Sequence, residues 1–186
     1  MMLPQPTPGR ECGACTACCV DMEVNDPDLV KPDRVPCPHM LAGTGCAIHE
    51  RLPVTCRNWF CGWRFLNLSD AMRPDLCGVL LAPEMGTTEG YEGKGGLRII
   101  LTRDDRQALF QDELIDFIAK CVSGGAPIFL SWGEGPLAMR LLVNDELKAV
   151  VADGDRAEFV RLLKVMQDQL VQRVAMAAIT AQNQRG

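Results

Sequence analysis

The chain of 186 residues carries 24 acidic against 19 basic side chains, a net charge of −5, and 47% of it is apolar. That apolar share suits one folded domain with a sizeable core and argues against a disordered chain. The negative balance argues against general nucleic-acid binding, which needs a dense positive surface, and against docking on an anionic bilayer.

Residues 1–9 are Pro-rich and read as a flexible tail. They have neither the early basic residues nor the apolar core of an export signal, and no run approaches the ~20 apolar residues of a membrane span, so a cytoplasmic protein is expected. Residues 10–65 are dense in Cys, Pro and Gly, with few long apolar runs, and a bound metal is the expected source of their fold. Within them, residues 37–41 and 46–49 read as short extended pieces about a turn at Gly43-Thr44-Gly45, and residues 53–65 as a helix with Pro53 in its first turn.

Residues 66–186 change character and read as an α+β region packed on the first, the whole forming one compact unit. Strands are expected at 78–82 and 97–101, about a glycine-rich, mobile hairpin loop at 86–96. Residues 104–123 read as a helix, because Phe110, Leu114, Phe117, Ile118 and Cys121 form one apolar stripe. Asp104 or Asp105 caps its start, and Gly124-Gly125 ends it. A third strand is expected at 127–132, then a hairpin whose arms, 137–143 and 147–151, flank Asn144-Asp145-Glu146. The last helix covers 155–180, with Phe159, Leu163, Met166, Leu170, Val174 and Ala177 on one face. The predicted fold class is therefore α+β: a cysteine-rich metal-binding lobe, then a small antiparallel sheet packed with two long amphipathic helices.

Eight of the ten cysteines fall between Cys12 and Cys61. In a reducing compartment, clustered cysteines bind metal or do redox work rather than form disulfides. Cys12, Cys15, Cys18 and Cys19 would lie within an arc of roughly 120° on a helix, and the two-residue gaps let successive sulfurs converge even in a turn. Cys37, Cys46, Cys56 and Cys61 are the remaining candidate ligands, and eight thiolates suffice for two four-coordinate centres. The C-x-x-C-x-x-C run and the Cys37-Pro38 pair place an iron–sulfur cluster ahead of zinc.

Four thiolates leave net negative charge on either centre, which Arg10, Arg51, Arg57 and Arg64 are placed in sequence to offset. His49, at the C-x-x-H spacing from Cys46, is a further candidate ligand, ahead of His39. Cys77 begins a predicted strand and Cys121 sits on an apolar stripe, so both are expected to pack as small hydrophobes. Trp59 and Trp63, four residues apart, are expected to shield the lobe from water.

The ordered set Cys12-x-x-Cys15-x-x-Cys18-Cys19, Cys37-Pro-His-Met-Leu41, Gly45-Cys46-Ala-Ile-His-Glu-Arg51 and Pro53-Val-Thr-Cys56-Arg57 resembles the CxxCxxCC family, a zinc- or iron-chelating domain also described as the YkgJ-type cysteine cluster family. The resemblance covers residues 10–65. It implies a chelating role for Cys12, Cys15, Cys18, Cys19, Cys37, Cys46 and Cys56, and Cys61-Gly62-Trp63 resembles an extension seen in some members. The chain departs from the family at His49, where an aromatic residue is usual, and at Arg51-Leu52-Pro53, where Arg-Pro is usual.

The expected function is metal chelation with a structural or electron-transfer role. The alternatives are a zinc-stapled protein-interaction module and a metal-dependent modifying enzyme or enzyme subunit. No nucleophilic triad, phosphate-binding glycine loop or paired-carboxylate motif stands out, and Glu84, Glu89 and Glu92 read as a solvated rim. The expected partners are metal ions, with no nucleic acid and no membrane.

Overall fold

The computed structural model describes residues 5–41, 43–102, 105–132 and 139–184. Among the predicted features, the cap at Asp104 and the first two residues of the strand expected at 137–143 lie outside these. The elements run α1 (Ala17–Asp21), β1 (Val24–Asp26), β2 (Leu29–Lys31), β3 (Met40–Leu41), β4 (Gly45–Cys46), α2 (Val54–Asn58), α3 (Pro74–Cys77), β5 (Val79–Met85), β6 (Gly95–Leu101), α4 (Asp112–Ser123), β7 (Ile128–Trp132), β8 (Met139–Leu142), α5 (Asn144–Asp153) and α6 (Arg156–Asn183). The fold is α+β, as its sequence pattern predicts.

Strands β5 to β8 form one sheet in chain order, and β1–β2 and β3–β4 form two small antiparallel ladders in the cysteine lobe. In the main sheet β5·β6 and β7·β8 are antiparallel, while β6·β7 is parallel, Leu97 standing opposite Ile128. The parallel pair follows from α4, which carries the chain back before β7 begins. Val79, Leu80, Leu81 and Ala82 are all buried, so both faces of β5 are covered. Leu81 faces Gly62 of the cysteine lobe, and Leu80 and Ala82 therefore point to the opposite face. Helix α6 packs on β7, β8 and α5, and α4 on β7 and α5.

The two long helices follow the predicted periodicity. Phe159, Leu163, Met166 and Leu170 of α6 are buried, and Asp155 caps its start by accepting from Glu158 N at 3.0 Å. In α4 the buried line is Leu114, Ile115, Ile118 and Val122, with Phe117 and Cys121 half-buried at its edge. The turn before it, Arg106–Phe110, is a separate 3-10 segment capped by Asp105.

Three local expectations are corrected. Residues 144–153 form a helix, not the second arm of a hairpin. Leu147, Val150 and Val151 keep helical spacing, Asp145 and Glu146 sit in the first turn where the helix dipole favours them, and buried Asn144 accepts from Ile128 N and donates to Ala126 O, both at 2.8 Å. Residues 53–65 do not form one helix. Helix α2 stops at Asn58, Trp59 is extended, and Gly62–Arg64 is a 3-10 turn whose Trp63 Nε1 donates to Ser69 O at 3.1 Å. Asn58 and Gly62 are weak helix formers, and burial of Cys61 and Trp63 in the core outweighs the remaining propensity. Cys77 ends α3 rather than beginning a strand, its thiol 3.4 Å from Met72 O and from Val79 O.

Candidate metal centre

The cysteine run is helical only from Ala17 onward. Before it, Cys12 to Cys15 close a turn with Cys15 N donating to Cys12 O at 2.9 Å, and Gly13 supplies the positive φ of 53° that this turn needs. All ten cysteines are free thiols. Cys61 is buried in the main core, and Cys15 and Cys18 pack against that same core. Cys12 accepts a hydrogen bond from the Arg64 side chain, and Cys61 lies within electrostatic reach of Cys12 and Cys15.

A second set gathers around Cys19. Cys37 N donates to Cys19 O at 2.9 Å, Met40 N donates to Cys37 O at 3.0 Å, and Met40 stands opposite Cys46 in the β3–β4 ladder. Cys56 lies within electrostatic reach of Cys19, Cys37 and Cys46. Its helix is tied to β1 by Asp26, whose Oδ2 accepts from Thr55 N and Thr55 Oγ1, both at 3.0 Å. Those backbone hydrogen bonds, with one from Asp28 N, hold the Asp26 carboxyl below the usual range.

The thiols differ in acidity residue by residue, and burial raises Cys56 in the second set as it does its counterparts in the first. Burial raises the Cys12 and Cys15 thiols and pushes Cys61 up to about 11. The Cys18 thiol donates to the Cys19 sulfur and is itself raised, first by that bond and then by burial. Cys19, which accepts, is lowered to about 7, with burial opposing and Lys31 assisting. A lowered pKa leaves the thiolate available before metal arrives, whereas the raised thiols must give up a proton as it binds.

Lys31 escapes a sequence reading, since a lone lysine between Val30 and Pro32 looks like an ordinary surface residue. It is 2% exposed, and its Nζ donates to Val20 O at 2.9 Å and to Pro32 O and Val35 O at 2.8 Å. Its three donors are thus fully used, and its charge faces Cys37 and Cys19.

Of the predicted arginines, Arg64 bonds a thiol, that of Cys12, and it also donates to Arg10 O at 3.0 Å. Arg10 donates to Trp63 O at 2.7 Å, Leu66 O at 2.6 Å and Leu68 O, and its guanidinium lies 5.3 Å from the Trp63 ring centroid. Arg10 therefore holds the backbone that carries Cys61. Arg57 bonds Leu52 O at 2.9 Å, and Arg51 is exposed.

His49 lies exposed in the 3-10 turn His49–Arg51, and His39 is half-buried, its backbone carbonyl accepting from Ala47 N. Trp63 is buried and Trp59 packs partly against the core. Glu84 differs from a rim residue: its carboxylate is 12% exposed and pairs with Arg98 at 3.3 Å and with Arg140, whereas Glu89 and Glu92 are exposed.

Among the described residues, no three His, Cys, Asp or Glu side chains surround one point closely enough to hold an ion as they stand. The sulfurs are gathered into one lobe without forming a closed coordination shell. The donor set nevertheless suits a thiophilic metal, because eight thiols share this lobe and Arg64 and Lys31 act electrostatically on them. No described helix is long and apolar enough to cross a membrane. The fold and the site together define an α+β protein bearing a thiol-rich lobe; comparison with known families, with curated proteins and with solved structures gave no match.

Proposed function

We propose that this chain is a cytoplasmic metal-chelating protein of the CxxCxxCC type, holding an iron–sulfur cluster or zinc through the eight cysteines of residues 12–61, in a structural or electron-transfer role. The observation that carries the reading is the grouping of the free thiols. Eight lie in one lobe, they feel one another's charge, and Arg64 and Lys31 are directed at them. Such density without a cation to bind them would be unfavourable once the thiols ionise. Metal binding supplies the attraction that offsets their repulsion.

Anaerobic isolation of the full chain under reductant, with metal and acid-labile sulfide analysis, tests this. A brown protein with a broad band near ~400 nm and labile sulfide establishes a cluster. A colourless protein with bound zinc establishes the zinc form. That form favours the interaction-module reading. A folded chain free of both metals overturns the proposal.

A further inference from the structure

We propose that the eight sulfurs divide into two four-thiolate centres, Cys12/Cys15/Cys18/Cys61 and Cys19/Cys37/Cys46/Cys56, with the chain passing from one to the other between Cys18 and Cys19. The inference rests on the metal-chelating reading and specifies which ligands share an ion.

Three independent features separate the sets. The first is the helix. Cys18 and Cys19 are consecutive in α1, so their Cα–Cβ bonds leave the helix about 100° apart, although the two sulfurs still meet in one hydrogen bond. Cys18 packs against the main core with Cys15 and Cys61, whereas Cys19 carries the carbonyl that receives Cys37 N. The second is the break after α2. One helix over residues 53–65 would have kept Cys56 and Cys61 on a single rod. The observed break sends Cys61 into the core, while Cys56 stays on the segment tied to β1 through Thr55 and Asp26.

The third is charge. Arg64 bonds the Cys12 side chain, and Lys31 faces Cys19 and Cys37. Each set thus has its own cation to offset the net −2 of a divalent ion with four thiolates.

The sets abut. A Cβ on Gly45, next to Cys46, would stand 2.8 Å from Gly13 O in the Cys12–Cys15 turn, and Cys19 lies within electrostatic reach of Cys12. The Cys37–Cys19 backbone bond and the position of Lys31 assign Cys19 to the second set in spite of that neighbour.

Titration of the full-length, reduced chain with Co2+ tests the division by its thiolate-to-cobalt charge-transfer absorption. The wild type should take up two equivalents in tetrahedral sulfur sites. Cys61→Ser and Cys56→Ser should each retain one tight equivalent. The double variant Cys15→Ser/Cys61→Ser should still retain one, since both residues serve the same centre, whereas Cys56→Ser/Cys61→Ser should retain none. The division is overturned if Cys15→Ser/Cys61→Ser loses both equivalents, or if Cys56→Ser/Cys61→Ser keeps one.

Cadmium-113 NMR of the wild type bound to Cd2+ needs no variant to fold. Two resonances in the four-sulfur range are expected, and a single resonance overturns the division. A wild-type chain that takes up neither Co2+ nor Cd2+ overturns the underlying chelation reading instead, so the two failures are distinguishable.

Discussion

Asp21 sets a problem at the scale of a single side chain. It lies at the end of α1, 6% exposed, with Arg34 Nε 3.7 Å from Oδ1 and no hydrogen bond to that oxygen. Burial raises its carboxyl to about 6, against the pull of Arg34 and Lys31. Its folded pKa lies above the unfolded value near ~3.9, so the folded chain holds this proton more tightly. Stability is then lost as pH rises from about 4 through 6, and the loss is complete above that window. Asp21→Asn removes the buried charge. We expect it to raise stability by about 1–2 kcal/mol at about pH 7.5 and to give no advantage at about pH 4. The gain stays below the ~3 kcal/mol that two pKa units represent, because the amide gives up the attraction to Arg34. Urea unfolding at both pH values reads the difference, and an equal gain at both would refute the assignment to ionisation.

Single residues were also where sequence reasoning was weakest. The candidate ligands could be read directly, because thiols at C-x-x-C spacing have few other uses in a reducing compartment. Lys31 could not be, because its burial depends on three carbonyls, those of Val20, Pro32 and Val35, that only the folded chain brings to it.

At the scale of elements, legibility followed the length of the periodic signal. Helices α4 and α6 repeat their apolar positions over several turns; α6 formed where expected, and α4 over the last twelve residues of the expected 104–123, behind a separate 3-10 turn. The short segments failed. In α5 the polar triplet Asn144-Asp145-Glu146 carries the composition of a turn, yet Asn144 spends its amide on the backbone at Ile128 and Ala126. The chain is therefore free to start a helix there. The α2 break had no signal beyond Asn58 and Gly62, and the absent side chain of Gly62 turns out to be essential. A Cβ there would stand 2.7 Å from Leu81 Cβ and 2.8 Å from Leu66 Cδ1. The Leu66 methyl can swing aside, but Leu81 Cβ is fixed to the backbone of the buried strand β5. Gly62→Ala should therefore cost about 1–3 kcal/mol by overpacking. Gly95→Ala, where a Cβ meets nothing within 4 Å, should leave stability within about 0.5 kcal/mol of the wild type. Matching urea midpoints for the two variants would show that the lobe does not seat on β5 through Gly62.

Across the whole molecule, the apolar core and the thiol lobe are stabilised by different means. The largest fully buried side chains, such as Leu80, Ile99, Leu114, Ile128 and Leu163, all come from residues 79–163, and the lobe contributes Ala17, Cys61 and Trp63 to the shared cluster. Residues 10–58 otherwise hold two- and three-residue ladders and five-residue helices, elements too short to persist on their own. A structural thiolate–zinc site is worth about 10–16 kcal/mol in small peptides, comparable to the ~5–15 kcal/mol that stabilises an entire domain. On the chelation reading, metal binding therefore decides whether this lobe is ordered, while the sheet and long helices stand without it. Removing metal by chelation under reductant should abolish amide-exchange protection across residues 12–58 and leave it in β5–β7, α4 and α6. Cys15→Ser should reproduce part of that pattern. Cys121→Ser should keep full metal content, because its thiol is half-buried at the edge of α4, away from the lobe. Hydrogen exchange read by mass spectrometry follows all three. Unchanged protection throughout the lobe after metal removal would mean that its short elements are held by protein contacts alone, and the chief energetic argument for the thiols as ligands would fail.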